Sequence, residues 1–357
     1  MPSLRYYISG HGLGHASRSC QVLRALAAGS PDVHCEVVSD ASAWFLTANL
    51  PVGTAVQRRS LDVGVCQKDS LELLPEATLT ACRALQAMSP ALLAAESDDL
   101  CRAGIDLVVT DVAALPCAAA AAAGIPAVIL SNFTWDWIYE GFLESFPAFQ
   151  GIIDWQRNYY RQASLGLRLP FHGKLPVAEV IDLPLVTRLS RTSANVIREQ
   201  LGVGRGQHLA LFSFGGFGLE KASLAGLAGL AGWVFLADPP LAAGNPHLRR
   251  LPADIPYPDL VNAADVVITK PGYGIVAECL AHRSAVLYTR RGNFREQARL
   301  ISGLHRYGRA LEIDNDRLRR GELHDALQQV LALPQPTATI AANGAEVAAK
   351  QLAGLFA

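Results

Sequence analysis

Short runs of apolar and β-branched residues alternate with alanine- and leucine-rich stretches along the chain, and this alternation constrains the fold most. Continuous apolar strands separated by helices are typical of a parallel sheet that is covered on both faces. The pattern therefore predicts a doubly wound α/β protein. Strands are predicted at 6–9, 33–39, 106–111, 127–131, 208–214, 233–237, 265–270 and 285–289. Helices are predicted at 15–28, 74–95, 116–123, 223–230, 274–281 and 294–307.

The alternation occurs twice. It fades between about 141 and 193, in a region rich first in aromatic residues and then in prolines, and it restarts at 208. The 357 residues also exceed the ordinary length of one domain. We therefore expect two Rossmann-like domains, joined near 182–192. Their predicted limits are 1–187 and 188–337, and a terminal helix within 338–357 could pack back on the first domain.

Composition excludes several classes of protein. Half of the residues are hydrophobic, 18% are charged, and the net charge is −1. A nucleic-acid-binding protein needs a clearly basic face, so no nucleic-acid partner is expected. The seven cysteines are scattered, without a C-x-x-C pair or a Cys/His cluster. This distribution predicts reduced thiols in a cytoplasmic protein, with no metal site.

One uncharged stretch, 112–135, could be mistaken for a membrane span. Pro116 and the Gly124-Ile125-Pro126 turn interrupt it, and Asn132 lies near its end. A buried helix, a turn and a buried strand fit this pattern better than one spanning helix. The first residues run directly into an apolar strand, so no signal peptide is predicted. Membrane contact is expected to be peripheral at most.

A glycine-rich loop follows the first predicted strand, with the sequence GHGLGHASR at 10–18. Glycines let the backbone approach a ligand, and a helix start offers free N–H groups to an anion. The loop does not read as a dinucleotide fingerprint, because it carries two histidines. His15 is either a satisfied core or capping residue or a general base. His11 is expected to be structural or to contact a ligand.

The second half of the chain carries two further turns of this kind. The strand 208–214 leads into a glycine turn at 215–218, and the strand 265–270 ends on Lys270 before a Pro-Gly-Tyr-Gly turn. Glu278 lies in the second turn of the helix that follows. A lysine beside a helix N-terminus suits a diphosphate, and the carboxylate suits the hydroxyls of a ribose. Alternatively, Glu278 is an ordinary solvated helix residue.

Six segments resemble metal-independent glycosyltransferases of the GT-B fold, in which two Rossmann-like domains face a central cleft. The resemblance is strongest to the glycosyltransferase-like N-terminal region of plant L-arabinokinases. The peptidoglycan N-acetylglucosaminyltransferase and the galactolipid synthases are more distantly similar. The kinase domain of the plant enzymes has no counterpart in these residues, so arabinose phosphorylation is not implied. The segments are YYISGHGLGHASR (6–18), TDVAALPCAAAAAAGIPAV (110–128), SNFTWDWIYEGF (131–142), VIDLPLV (180–186), FSFGG (212–216) and KPGYGIVAE (270–278).

The resemblance implies an inverting transferase that moves a sugar from a nucleoside diphosphate, UDP by expectation, to a hydroxyl acceptor without a cofactor. His15 would be the base, and Asp111 would either orient its imidazole or only cap a strand end. The donor-binding residues would be Gly12, Gly14, Ser213, Gly215, Gly216, Ile255, Tyr257, Lys270, Gly272, Tyr273, Gly274, Glu278, Glu296 and Gln297. The acceptor-binding residues would be His11, Arg18, Asn132, Trp135 and Asp136.

The acceptor is expected to be a small molecule or a lipid with a hydroxyl group. The segment 132–160 is dense in aromatic residues, which could form an acceptor pocket, a membrane-contacting surface or plain core. Its start directly follows the strand 127–131, and such strand ends face the ligand crevice in open α/β sheets. The sequence leaves the oligomeric state open.

Two other functions remain compatible with the same fold. A UDP-sugar 2-epimerase would need further acidic residues in the cleft, and the sequence shows no convincing set. A non-catalytic nucleotide-sugar-binding module is the other alternative, because the resemblance is to an appended region.

Overall fold

The computed structural model describes residues 1–215, 219, 222–238, 241 and 245–356. Within them the strands form two sheets, and all neighbouring strands are parallel. The first sheet has the order β3-β2-β1-β4-β5-β6-β7 and the second the order β10-β9-β8-β11-β12-β13. The strands are β1 Ser3–Ile8, β2 His34–Ser39, β3 Ala55–Gln57, β4 Leu107–Thr110, β5 Ala127–Ser131, β6 Leu165–Arg168, β7 Val180–Asp182, β8 His208–Ser213, β9 Trp233–Ala237, β10 Leu248–Arg250, β11 Val266–Thr269, β12 Ala285–Tyr288 and β13 Ala310–Glu312.

Helices connect the strands and cover both faces of each sheet. Tyr6 and Tyr7 of β1 show this arrangement, because they are both buried but belong to separate hydrophobic clusters. The α-helices are α1 Leu13–Gly29, α2 Ala43–Asn49, α3 Pro75–Ala103, α4 Leu115–Ala122, α5 Trp135–Tyr139, α6 Phe149–Tyr160, α7 Ala194–Gln200, α8 Tyr257–Ala263, α9 Tyr273–His282, α10 Glu296–Tyr307, α11 Asn315–Arg320, α12 His324–Ala332 and α13 Gly344–Gly354.

The predicted fold class, two doubly wound parallel sheets, is confirmed. The region 141–193, where the sequence pattern fades, contains α6, β6 and β7. The predicted helix 223–230 is wrong in type, because Ala225–Gly229 is a 3-10 helix. Helix α3 continues to Ala103, eight residues beyond its predicted end.

The segment 112–135 contains α4, a turn and the fully buried strand β5, as the sequence predicts. Among the described residues, no helix is long and apolar enough to cross a membrane.

The last helix returns to the first half of the molecule. Helix α13 packs against α1. The Leu185 N–H donates to the Ala341 carbonyl and the Gly344 N–H donates to the Leu185 carbonyl, both over 2.9 Å. The backbone of Gly344 is so close to Pro184 that an added Cβ would lie 2.2 Å from the Pro184 carbonyl oxygen.

The two glycine turns meet where the halves join. Helix α1 begins after Gly12, whose φ of 75° is one that glycine adopts readily. Helix α9 begins after Gly272, and a Cβ added to Gly274 would lie 3.6 Å from the Cα of Gly14. The N-termini of α1 and α9 therefore lie side by side at the junction between the halves.

Candidate active site

A histidine–aspartate pair lies at the carboxyl edge of the first sheet. Helix α1 carries His15 in its first turn, and Asp111 directly follows β4. Nδ1 of His15 lies 2.6 Å from Oδ2 of Asp111, while Oδ1 of Asp111 accepts the backbone N–H of Ser9 at 3.0 Å. His15 is 6% exposed and Asp111 is 0% exposed. The structure thus brings together the two residues that the sequence nominated for catalysis.

Arg18, one turn along α1, lies against this pair. Its Nη2 lies 3.0 Å from Nδ1 of His15 and 3.8 Å from Oδ2 of Asp111. An ionised carboxylate can only accept hydrogen bonds, so Nδ1–H of His15 donates to Asp111. That assignment leaves Nε2 of His15 as the basic nitrogen.

Asp111 stays ionised in this setting. Burial disfavours its charged form, but the His15 ring, the hydrogen bond to it, Arg18 and the Ser9 N–H together lower the pKa of Asp111 below its usual value. An ionised carboxylate behind the imidazole holds the ring orientation and stabilises the imidazolium.

Aromatic rings enclose the two histidines. The His15 ring lies 5.7 Å from Phe133 and 5.9 Å from Trp135, and the His11 ring lies 5.2 Å from Trp135 and 6.4 Å from Phe294, between centroids. Burial, together with the charges of nearby cationic groups, lowers the pKa of His11 well below its usual value. His11 is therefore neutral at physiological pH, and its ring lines the site beside Trp135.

Asp62 is a site residue that the sequence did not reveal. The indole N–H of Trp135 donates to its Oδ2 at 2.7 Å. Burial, with the charge of Asp111 as a smaller cause, raises the pKa of Asp62 to about 6, although the hydrogen bonds from Ser9 and Trp135 oppose the shift. Asp62 lies in a loop between β3 and α3 with no motif around it, so no local signal could have found it.

The first half reaches the second through Asn132, which follows β5. Its Oδ1 accepts from Nη1 of Arg18 at 2.7 Å, and its Nδ2 donates to Oε1 of Glu296 at 2.7 Å. Glu296 begins α10, and the neighbouring Gln297 accepts the backbone N–H of Arg291 at 2.7 Å. Residues nominated for the acceptor and for the donor sugar are therefore in direct contact.

Two cations lie at the carboxyl ends of neighbouring strands of the second sheet. Lys270 follows β11, and Arg291 lies three residues beyond β12. Burial and the charge of Arg291 lower the pKa of Lys270 to about 7, and burial lowers the pKa of Arg291 to about 10. Asp69 and Glu296 partly offset the shift at Lys270. Lys270 is among the residues predicted from the sequence, whereas no motif marks Arg291.

Glu278 is not the solvated helix residue that the simpler interpretation expected. It is 2% exposed, and Nε of Arg188 lies 2.6 Å from its Oε1. Arg188 also lies over the ring of Tyr257 at 5.5 Å, and the Tyr257 hydroxyl donates to Oγ of Ser213 at 2.6 Å. Three nominated donor-binding residues, Ser213, Tyr257 and Glu278, thus share one polar cluster with Arg188, which no sequence motif marks.

Asp136 does not join the group around His15. Its carboxylate is buried and pairs with Nε of Arg157 on α6 at 3.0 Å, although Trp135 beside it does contact both histidines. Burial raises the pKa of Asp136, and Arg157 opposes the shift. The side chain therefore belongs to the packing between α5 and α6.

Of the remaining nominated residues, Tyr273 lies at the junction of the halves. The Tyr273 hydroxyl accepts the backbone N–H of Val186 at 3.2 Å, and Arg18 lies 5.4 Å from the Tyr273 ring centroid. Ile255 is partly buried before α8, and Gly215 follows β8 with a φ of 68°. Gly216 lies outside the described residues. No group of three or more His, Cys, Asp and Glu in the described ranges could hold a metal ion.

The two facing α/β halves, joined at the carboxyl edges of their sheets, give the chain the GT-B fold. Solved structures with this fold cover 99% of the chain: MurG from Acinetobacter baumannii (14% identity, TM-score 0.62, 100% of that chain) and SnogD, a glycosyltransferase from Streptomyces nogalater (17%, 0.57, 99%). UGT2 from Phytolacca americana, solved with UDP-2-fluoro-glucose and pterostilbene, matches at 12% identity and a TM-score of 0.62 over 94% of its chain.

Within this fold, the sequence is similar to L-arabinokinase from Arabidopsis thaliana. The two are 32% identical over 355 residues, which cover 96% of this chain. The match lies in the N-terminal region of that protein and covers 33% of it, so the chain spans about a third of the length of this relative. No protein-family model matches the chain.

Proposed function

We propose that this protein is an inverting, metal-independent glycosyltransferase that moves a sugar from a nucleoside diphosphate, with UDP as the expected nucleotide, to a hydroxyl acceptor. The observation that carries the proposal is the His15–Asp111 pair of one half, which lies across the junction from the Lys270–Arg291 cations of the other. A base and an anion site on opposite sides of one cleft are what a direct displacement at a sugar phosphate needs.

In the proposed step, Nε2 of His15 takes the proton of the acceptor hydroxyl. The acceptor oxygen attacks the anomeric carbon, and the bond from that carbon to the diphosphate oxygen breaks, which inverts the anomeric centre. The nucleoside diphosphate leaves with the bonding electron pair, and Lys270 and the N-terminus of α9 stabilise its charge. The imidazolium then returns its proton to solvent.

The polar cluster around Tyr257 supports a nucleoside subsite. Glu278 offers a carboxylate for ribose hydroxyls, and Ile255 with Tyr257 offers an edge for the base. On the opposite side, Glu296 offers a carboxylate to the donor sugar, and Asn132 holds that carboxylate through its Nδ2. The aromatic rings of Phe133 and Trp135 beside His15 favour an acceptor with an apolar or sugar face.

A 2-epimerase is the second candidate, and Asp62 favours it. Such an enzyme needs a further acidic group in the cleft, and the burial of Asp62 beside Trp135 and Asp111 raises its pKa to about 6. A side chain with that pKa exchanges protons readily near neutral pH. The transferase remains the better supported proposal, because the His15–Asp111 pair lies at the same cleft.

One incubation series separates these functions. Purified protein is mixed with UDP-glucose, UDP-galactose and UDP-N-acetylglucosamine, each with and without a panel of hydroxyl acceptors, and the products are resolved by chromatography and NMR. Release of UDP only with an acceptor supports the transferase. Inversion at C2 without an acceptor supports the epimerase, and binding without conversion identifies a nucleotide-sugar-binding module.

Chelation tests the metal-independent part of the proposal. Turnover is expected to persist in excess EDTA, because cationic side chains and backbone N–H groups meet the leaving-group charge. The chelated enzyme without added ions is the reference for parallel reactions with magnesium or manganese. Loss of turnover with chelator and its return with either ion would overturn this part alone.

A further inference from the structure

Arg291 is the second cation beside Lys270, and the proposed step gives it no role of its own. It lies in the loop between β12 and α10, three residues after β12 ends, next to the strand that leads to Lys270. The carboxyl ends of β11 and β12 are neighbours in the sheet, so both cations lie on the same edge. The N-terminus of the ten-residue helix α9 opens on that edge as well.

The surrounding residues hold the guanidinium of Arg291 in place. Its central carbon lies 3.7 Å from the centroid of the Phe294 ring, and its backbone N–H is bound by Gln297 at 2.7 Å. The residue is only 6% exposed. Stacking on an aromatic ring fixes the plane of a guanidinium and leaves its edge for hydrogen bonds.

The hydrogen-bond donors on that edge of the Arg291 guanidinium do not all have an acceptor. Nε of Arg291 is buried and has no hydrogen-bond acceptor among the described residues. The Glu296 carboxylate is 3.7 Å from Nη2, beyond hydrogen-bond distance. A buried donor without an acceptor is costly, and a guanidinium edge suits the paired oxygens of a phosphate.

The positive charges of Lys270 and Arg291 also favour a phosphate ligand. Lys270 and Arg291 repel each other across the site, and burial disfavours both charged forms. An anion between two such cations removes the repulsion and replaces lost solvation.

We propose that Arg291 binds the diphosphate of the nucleotide donor beside Lys270 and stabilises the leaving group as the sugar departs. The inference rests on the proposed function, and it adds a residue and a charge to it. Arg291 contacts the phosphates, whereas Glu278 contacts the ribose. Ligands with and without phosphates therefore distinguish the two roles.

The test compares Arg291→Ala with Arg290→Ala, its neighbour in the chain. Arg290 has a 58% exposed side chain paired with Glu312 at 2.7 Å, and it has no part in the site. Calorimetry measures the affinity of each protein for UDP, UMP and uridine. Arg291→Ala is expected to weaken UDP binding about 10- to 100-fold and to leave uridine binding unchanged, because only phosphate contacts are lost. Arg290→Ala is expected to bind all three like the wild type.

The outcomes separate this inference from the proposed function. Wild-type protein that binds UDP, with Arg291→Ala binding it equally well, overturns the role of Arg291 and leaves the transferase proposal intact. Wild-type protein that binds neither UDP nor any other nucleoside diphosphate overturns both. If Arg291→Ala does not fold, Arg291→Gln replaces it, since the longer side chain still packs on Phe294 but carries no charge. The same UDP and uridine results are then expected.

Discussion

Nδ2 of Asn132 donates a hydrogen bond to Oε1 of Glu296 over 2.7 Å, although 164 positions separate the two residues in the chain. Asn132 follows β5 of the first sheet and Glu296 begins α10 in the second half. Both side chains are buried. Because Arg18 donates to Asn132 and lies 3.0 Å from Nδ1 of His15, a continuous chain of polar contacts runs from the proposed base to the proposed sugar-binding carboxylate.

Breaking this contact should destabilise the protein. Asn132→Ala leaves a buried carboxylate without its amide donor, and the expected cost is about 1–3 kcal/mol of unfolding free energy. Urea denaturation of Asn132→Ala, Glu296→Ala and the double variant measures the coupling, which should exceed about 0.5 kcal/mol. Asn158→Ala, on the exposed side of α6, is the control. Strictly additive single changes would show that the pair does not hold the halves together.

Removal of His15 should affect turnover far more than binding. His15→Ala is expected to lower turnover about 10²- to 10⁴-fold and to leave UDP affinity nearly unchanged, because proton transfer is lost and the donor contacts lie in the other half. His324→Ala changes an exposed histidine at the start of α12 and should behave like the wild type. Near-normal turnover with a normal melting temperature would refute the catalytic role. A lowered melting temperature with a proportionate loss of activity would make His15 structural.

The buried ammonium of Lys270 should lower the free energy of unfolding at neutral pH. Its pKa is about 7 in the folded protein against 10.5 ordinarily, so the unfolded chain binds more protons between these values and stability rises with pH there. The penalty is fully present below pH 7 and disappears above about pH 10.5. Lys270→Met should therefore melt higher than the wild type at pH 7, and the difference should shrink towards pH 10.

The same variant should bind UDP more weakly, because it lacks one of the two cations. Melting curves from pH 6 to 10 and calorimetry with UDP make the two measurements. Lys68→Met, at an exposed lysine paired with Glu72, is the control. A Lys270→Met protein that melts lower than the wild type at pH 7 would contradict the sign of the effect.

Glu278 and Arg188 should be separable, although they form one ion pair. Glu278→Ala removes the proposed ribose contact and should weaken both UDP and uridine binding by about 1–3 kcal/mol. Arg188→Ala breaks the same pair and keeps the carboxylate, so its main effect should be a lower melting temperature. Calorimetry and thermal melts on both variants test this. Equal losses of uridine affinity would mean that Glu278 acts only through Arg188.

The sequence predicts the long strands well because their apolar residues are buried on both faces. Strands β3, β7, β10 and β13 have three residues each, which is too short for a pattern to stand out. Site residues that follow a predicted strand, such as Asp111 and Lys270, could be anticipated, since carboxyl ends of parallel strands share an edge. Asp62, Arg188 and Arg291 lie in irregular segments, and only the tertiary fold brings them to the cleft.

The backbone pairing of Leu185 with Ala341 and Gly344 has a mechanical consequence. The chain leaves the first half after β7 and returns to it before α13, and these hydrogen bonds tie the outgoing and returning segments together where they cross. A relative movement of the two halves would therefore have to carry both segments together or break these hydrogen bonds.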